Sequence, residues 1–237
     1  TCSCLLITVM AENLIVMFLG WECVTICTYL LISFWYEDTP KIEGGKRHFI
    51  IQHLGDIFFI LGIISLYGIF KSQGFTSFDF LTIQQGAATI IGSYGPDFHI
   101  LTLSLLFFIL AAFIRAAQIP LHISLHLTQN APLPATTLIQ TIIMTTSSIY
   151  LLARLNILYQ NSSVILTILT IVGLGTALLA ALMSLAQYNV LKILSLLNIS
   201  QIGYMFASLG LTSYWLACFH LTLHAFFMTG LFLGAGI

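Results

Sequence analysis

Few side chains of this sequence can carry a charge within its long apolar stretches. Glu22, Asp56, Arg115 and Lys192 are the ionisable residues placed inside or beside such stretches. A charge at the centre of a bilayer costs at least about 2.5–3.5 kcal/mol, so such a group needs a partner or a hydrated cavity. We predict a buried Glu22–Arg115 pair, because mutual attraction offsets part of the desolvation cost of both groups.

Each of these residues also has a simpler interpretation. Glu22 follows Trp21 in the first third of its apolar stretch, where the tryptophan could anchor at the interface and the carboxylate could be solvated. Arg115 lies near the end of its stretch and could extend its side chain to the interface. Lys192 is equally compatible with a solvated charge and a buried one. Uncharged residues on both sides of Glu22 favour the buried position for that carboxylate.

Two pairs of histidines add switchable polar groups to this set. His122 and His126, like His220 and His224, are four residues apart, so each pair lies on one face of a helix. A zinc site is conceivable, but the sequence places no acidic third ligand nearby. The pattern favours a polar relay or packing, and we expect no metal site.

The composition indicates which elements position these groups. The chain has 237 residues, of which 59% are hydrophobic and 6% charged, and its mean hydropathy is +1.02. Soluble domains carry about 25% charged residues, so this chain could not cover its surface in water. Within lipid the backbone must satisfy its own hydrogen bonds, and the long continuous apolar runs favour helices over a barrel. We predict an all-α integral membrane protein, a polytopic helix bundle.

Hydropathy and turn residues divide the chain into spans. Residues 1–11 read as the end of one helix, and the complete spans are predicted at 12–35, 48–70, 99–117, 135–154, 164–185, 191–209 and 214–236. Residues 41–47 are predicted as a polar loop, and residues 71–97 as a mixed segment outside the hydrocarbon. Pro120 lacks an N–H and interrupts a transmembrane helix at residues 118–120. The bias of Lys and Arg weakly places the 41–47 segment on the matrix or cytoplasmic face.

Charge and cysteine usage exclude other classes. The net charge of −1 gives no indication of a nucleic-acid partner. The cysteines, in apolar surroundings without a paired CxxC set, are expected to be small apolar residues rather than disulfides or metal ligands. A row of titratable groups at membrane depth is typical of ion conduction. From the residues alone, the prediction ends at an ion-conducting membrane protein.

At these residues the sequence resembles the antiporter-like membrane-arm subunits of respiratory complex I. The resemblance covers almost the whole chain in the family's order, through residues 13–35 with Gly20-Trp21-Glu22, 53–56, 115–122, 131–135, 187–192, 200–205 and 220–227. The last stretch, with His224-Ala225-Phe226-Phe227, favours the chain 5 branch. This resemblance implies a single transmembrane domain over residues 1–237, with a first inverted repeat over about 1–154 and the start of a second over about 163–237.

The resemblance also implies a function and a set of site residues. It implies a proton-translocating, non-redox subunit of NADH:ubiquinone reductase in the mitochondrial inner membrane. The residues that would carry the proton are Glu22, Asp56, Arg115, His122, Lys192, His220 and His224. No cofactor is expected in this chain, since FMN, iron–sulfur clusters and ubiquinone would belong to other subunits. The expected partners are other membrane-arm subunits, membrane lipids and a second fragment carrying the family's C-terminal helices.

Several positions depart from the family's pattern. Arg115 stands where the family has lysine, and an arginine effectively cannot release its proton. Gln140 replaces a histidine, Met228 replaces a lysine, and Asn130 stands at an acidic-glycine turn. Two alternatives therefore stay open. One is a structural or assembly subunit of complex I with an inactive channel, and the other is a sodium/proton antiporter subunit.

Overall fold

The computed structural model describes residues 1–75, 77–95 and 99–236. The helices follow one another in the order α1 Cys2–Met10, α2 Leu14–Ile32, α3 Thr39–Ser72, α4 Phe80–Tyr94, α5 His99–Arg115, α6 Ile123–Leu127, α7 Leu133–Leu138, α8 Met144–Arg154, α9 Asn156–Tyr159, α10 Ser163–Leu185, α11 Val190–Gly210 and α12 Tyr214–Gly234. A π-helical turn, Ile139–Ile143, joins α7 to α8 in one continuous helical run. The prediction of an all-α bundle is confirmed.

Six helical runs in the described residues are long and apolar enough to cross a membrane. They are Leu14–Ile32, Thr39–Ser72, Leu133–Arg154, Ser163–Leu185, Val190–Gly210 and Tyr214–Gly234. Helix α5 is apolar but has only 17 residues. The predicted spans correspond to these six helices and to α5, and most of their ends differ by a few residues, but α3 begins well before the predicted start at residue 48.

The polar loop predicted at residues 41–47 is wrong. Helix α3 begins at Thr39, with Pro40 in its first turn, and runs through the whole segment. Ion pairs at helical spacing, Lys41 with Asp38 at 3.1 Å and Arg47 with Glu43 at 2.7 Å, offset the poor hydropathy of these turns. With a rise of 1.5 Å per residue, α3 is about 51 Å long, so its charged start extends beyond a hydrocarbon core of about 30 Å.

The mixed segment at residues 71–97 contains a helix, α4, that the sequence prediction missed. The two residues that precede α4 form hydrogen bonds with the start of α2. The Asn13 amide donates to Asp79 at 3.0 Å, and Leu14 N donates to Phe78 O at 3.1 Å. The Ser77 hydroxyl and the Asn13 amide donate to Asp79 and lower the pKa of its carboxyl. Long-range hydrogen bonds to the α1–α2 link and burial of Ile83, Ala87 and Ile90 in the core therefore order this segment.

The predicted break lies between α5 and α6. Ala117 has a left-handed backbone, with φ of 51°, and Pro120 follows three residues later. The short helix α6 resumes near α3 and α11. Buried apolar side chains close around the break, namely Val24, Ala117, Leu125, Ile139, Ile143 and Ile199. The broken backbone is thus enclosed by protein, as the membrane environment requires.

Candidate functional site

Arg115 ends α5 and is almost fully buried, at 3% exposure. Its guanidinium donates to the Thr25 hydroxyl and, at 3.0 Å, to the carbonyl oxygen of Trp21. Its Cζ lies 4.6 Å from the centre of the Trp21 ring. The cation is therefore held inside the bundle by α2, through hydrogen bonds and a cation–π contact. Burial of Arg115 agrees with the prediction and excludes extension to the interface within this fold.

The predicted direct Glu22–Arg115 ion pair is not formed. Glu22 is half-buried and belongs to a trio in which Glu22, His53 and Asp56 bring one ligand-type atom each within 4.8 Å of one another. The guanidinium still lies close enough to both carboxylates to interact with them electrostatically. Both terminal nitrogens of the guanidinium donate to Thr25 and the Trp21 carbonyl instead, and its Nε is buried without a hydrogen-bond partner.

Asp56 is the deepest carboxylate of the trio, at 2% exposure. The indole N–H of Trp21 donates to its Oδ1 at 2.7 Å, and Nδ1 of His53 lies 3.1 Å from its Oδ2. Trp21 thus contacts both the acidic and the basic part of the cluster. The indole N–H reaches the carboxylate while the ring and the carbonyl hold the guanidinium.

The charges of this cluster do not cancel when both of its carboxyl groups are ionised. Arg115 supplies one permanent positive charge, and Glu22 and Asp56 can supply two negative charges. In a medium of low polarity an unbalanced charge is costly. One additional proton, held on a carboxyl or on His53, makes the cluster neutral. The arrangement therefore has the chemistry to bind and release a proton. Glu22, His53 and Asp56 could also hold a cation.

His53 and Trp21 are members of the cluster that the sequence prediction did not assign to the site. The spacing of three residues between His53 and Asp56, on one helix, was the signal that could have found His53. Nothing in the sequence indicated that the Trp21 indole would reach across to α3.

A second polar cluster is centred on Gln140, in the π-helical turn. Its amide nitrogen donates to the Thr128 hydroxyl at 2.7 Å, and its amide oxygen accepts from the Ser195 hydroxyl at 2.9 Å. The Asn198 amide donates to the Gln140 carbonyl at 3.0 Å. Gln140 therefore joins the segment after α6 to α11 through hydrogen bonds that hold no exchangeable charge.

The histidines of α12 extend this cluster. Nε2 of His224 lies 2.8 Å from the Asn198 amide oxygen, and Nε2 of His220 lies 3.0 Å from the Gln201 amide oxygen. The two rings are 6.2 Å apart. Met228, one helical turn beyond His224, is buried with Leu194 and Phe232.

Of the other predicted pair, His122 immediately precedes α6 and His126 lies in its last turn. The ring centres are 6.2 Å apart, as the helical spacing predicted, and the Nδ1 atom of each is buried without a protein partner. Lys192 lies in the first turn of α11 with an exposed side chain, near enough to His126 for an electrostatic interaction. The structure thus places Glu22, Asp56 and Arg115 together, His220 and His224 against α11, and His122 with His126 near Lys192.

Comparison with known proteins identifies relatives over nearly the whole chain. The family described as NADH:quinone oxidoreductase/Mrp antiporter, TM, matches residues 11–237. The chain is 37% identical to NADH-quinone oxidoreductase subunit L of Buchnera aphidicola over 232 residues, which are 98% of this chain and 36% of that protein. It is 36% identical to NADH-ubiquinone oxidoreductase chain 5 of Chondrus crispus over 98% of this chain and 35% of that protein.

A solved structure has the same fold. A subunit of the Mrp complex from Dietzia sp. DQ12-45-1b superposes with a TM-score of 0.84 and 23% identity, over 96% of this chain and 24% of that chain. The chain spans about a third of the length of the subunit L and chain 5 relatives. The predicted antiporter-like, multi-pass membrane fold is confirmed.

Proposed function

Because this chain belongs to the NADH:quinone oxidoreductase/Mrp antiporter transmembrane family, we propose that it is part of a proton-translocating subunit in the membrane arm of respiratory complex I. The observation that carries this proposal is the cluster in which the buried Arg115 and Asp56 lie with the half-buried Glu22 and His53. Its charges balance only when it holds one additional proton.

In the proposed mechanism, this cluster takes up and releases that proton. Arg115 keeps its charge and favours the ionised form of both carboxylates, while removal of water favours their protonated form. A change in hydration or in the distance between α2 and α3 alters the balance between these two effects. Quinone reduction elsewhere in the complex would supply the free energy for that change.

The proposal includes a setting for the chain. We place the redox cofactors, FMN, iron–sulfur clusters and ubiquinone, in other subunits, so this chain acts without a redox centre of its own. Its partners are other membrane-arm subunits and lipid, in the mitochondrial inner membrane. The remaining helices of the fold, including those of the second repeat, are contributed by further residues or by a separate polypeptide.

Neutralisation of the cluster carboxylates tests the proposal. Glu22→Gln and Asp56→Asn remove the groups that exchange the proton and keep similar side-chain shapes. We expect both variants to assemble and oxidise NADH but to pump fewer protons per NADH, measured by dye quenching in proteoliposomes of the purified complex. Glu43→Gln, which removes an exposed carboxylate paired with Arg47 at 2.7 Å, is the control and should pump normally. Normal pumping in both cluster variants would refute the proposal.

Two alternatives predict different results in the same system. An idle channel in an assembly subunit predicts an unchanged proton-to-electron ratio even when Arg115 or His122 is replaced. A sodium/proton antiporter subunit is favoured by one observation, the carboxylate–histidine trio that could hold a cation. It predicts sodium-dependent transport and purification without NADH-oxidising subunits.

A further inference from the structure

Helix α3 carries a line of buried polar side chains that begins at the carboxylate cluster. His48, Gln52 and Asp56 are four residues apart, so they lie on one face of the helix. Their exposures are 1%, 2% and 2%. The line spans about 12 Å along the helix axis and leads from Asp56 towards the charged start of α3.

Gln52, in the middle of this line, has an amide without a protein partner. Both its Nε2 and its Oε1 are buried and form no hydrogen bond with the protein. A buried amide without partners destabilises the fold, and a water molecule bound to it removes that cost. The amide offers two donors and an acceptor, which suit a water molecule.

The hydrogen bond of His48 decides which of its ring nitrogens can receive a proton. Nδ1 lies 3.0 Å from the carbonyl oxygen of Ser124, in α6. A carbonyl oxygen only accepts, so Nδ1 carries the hydrogen and Nε2 of the neutral ring is an acceptor. His48 is therefore fixed on the broken helix with one basic nitrogen available.

Gln140, in the turn between α7 and α8, cannot accept a proton from the cluster. Both amide atoms of Gln140 are bound by Thr128 and Ser195, and an amide does not hold an exchangeable proton at neutral pH. A proton that leaves the cluster towards the start of α3 has His48 as its nearest titratable group along that helix face.

We propose that Gln52 holds water in a short hydrogen-bonded chain that connects Asp56 to His48, forming a proton relay along α3. The Asp56 carboxyl gives its proton to the first water, each water passes one of its own protons to the next, and the last gives a proton to Nε2 of His48. The products are a carboxylate and an imidazolium, and the waters are regenerated. Gln52 is a positioning residue in this step, and the inference rests on the proposed function because it requires Asp56 to exchange protons.

Gln52→Leu tests the role of the water site. Leucine has a similar size and no polar atoms, so it removes an amide that has no protein partner and breaks no hydrogen bond within the protein. We expect its proton pumping per NADH to fall as far as that of Asp56→Asn, while NADH oxidation and assembly on native gels are retained. A purely structural role for Gln52 predicts undiminished pumping in this variant.

Three further variants accompany it in the same proteoliposomes. Gln52→Asn keeps an amide and should restore part of the pumping that Gln52→Leu loses. His48→Gln keeps a donor for the Ser124 carbonyl but no basic nitrogen, and it should pump poorly. Gln85→Leu makes the same chemical change on the exposed face of α4 and should pump normally.

The outcomes separate this relay from the function on which it rests. Loss of pumping in Asp56→Asn together with normal pumping in Gln52→Leu or His48→Gln would overturn the relay and leave the proposed function in place. Normal pumping in Asp56→Asn and Glu22→Gln would overturn both.

Discussion

At the residue scale, Trp21 organises the charged cluster. Its ring stacks edge to face on Phe59, with ring centres 5.1 Å apart, and it is fully buried. The indole N–H is directed to Asp56 and the backbone carbonyl to Arg115. Trp21 thus holds Asp56 and Arg115 at a fixed separation, although these two residues form no direct ion pair.

This role predicts the effect of Trp21→Phe. Phenylalanine keeps a ring below the guanidinium and against Phe59 but leaves Asp56 Oδ1 without its donor. We expect a loss of about 1–3 kcal/mol in stability, the usual cost of leaving a buried polar group unpaired. Thermal denaturation of the detergent-solubilised complex measures it.

The matched control for this substitution is Trp215→Phe, because Trp215 is 85% exposed. It should denature at the temperature of the unmodified protein. Equal stability of the Trp21 and Trp215 variants would show that the indole hydrogen bond does not hold the cluster.

At the scale of elements, close approach of helix backbones fixes the scaffold. Helices α10 and α11 cross at Gly173 and Gly203, where a Cβ on Gly203 would lie 2.7 Å from the Gly173 carbonyl oxygen and 2.8 Å from Ala177 N. Small residues allow such contacts between membrane helices. Helix α11 carries Ser195 and Asn198, so this crossing also positions the second polar cluster.

Gly203→Ala is therefore expected to separate α10 from α11. The added methyl group meets backbone atoms that cannot rotate away, and overpacking of this kind costs about 1–3 kcal/mol. A fall in the denaturation temperature of the complex would show it. Gly175→Ala is the control, since a Cβ at Gly175 has nothing within 4 Å, and it should be neutral or slightly stabilising.

Hydropathy predicted the spans of this scaffold but not its polar helical turns. The first turns of α3 contain Lys41, Glu43 and Arg47, which a hydropathy profile assigns to a loop. Ion pairs at spacings of three and four residues favour the helix there. Gly44 and Gly45 face Asn130 and Ser33 at short distances, so packing against distant segments also determines the helical form.

At the scale of the whole molecule, basic residues are distributed between the two ends of the bundle. Lys41, Lys46 and Arg47 lie at the start of α3, and Lys71 lies at its other end. Arg154 lies near the α4 end, since its guanidinium donates to Ala11 O at 2.9 Å and packs on Phe80. The positive-inside rule then places the start of α3 on the matrix or cytoplasmic side.

Cysteine labelling tests this orientation. Lys46→Cys and Lys71→Cys, both at exposed positions, are made in a background where the native cysteines are replaced. An impermeant maleimide should label Lys46→Cys from the matrix or cytoplasmic side and Lys71→Cys from the opposite side. Labelling of both from one side would contradict a membrane-spanning α3, and reversed labelling would contradict the orientation.

The sequence by itself determined the membrane class, the spans, the break at Pro120 and the titratable residues. Each follows from local properties, because hydropathy, proline geometry and the scarcity of charge can be read along one helix. The implied repeats, with a first over about 1–154 and a second from about 163, stay a prediction.

Only the tertiary structure decided which of these residues meet. It replaced the expected direct Glu22–Arg115 pair by a cluster in which Trp21 contacts both Asp56 and Arg115, and it buried the Gln52 amide without a protein partner. Such contacts depend on the rotation and separation of helices about each other, which packing of small and aromatic residues fixes. A pattern along one helix carries no information on those two quantities.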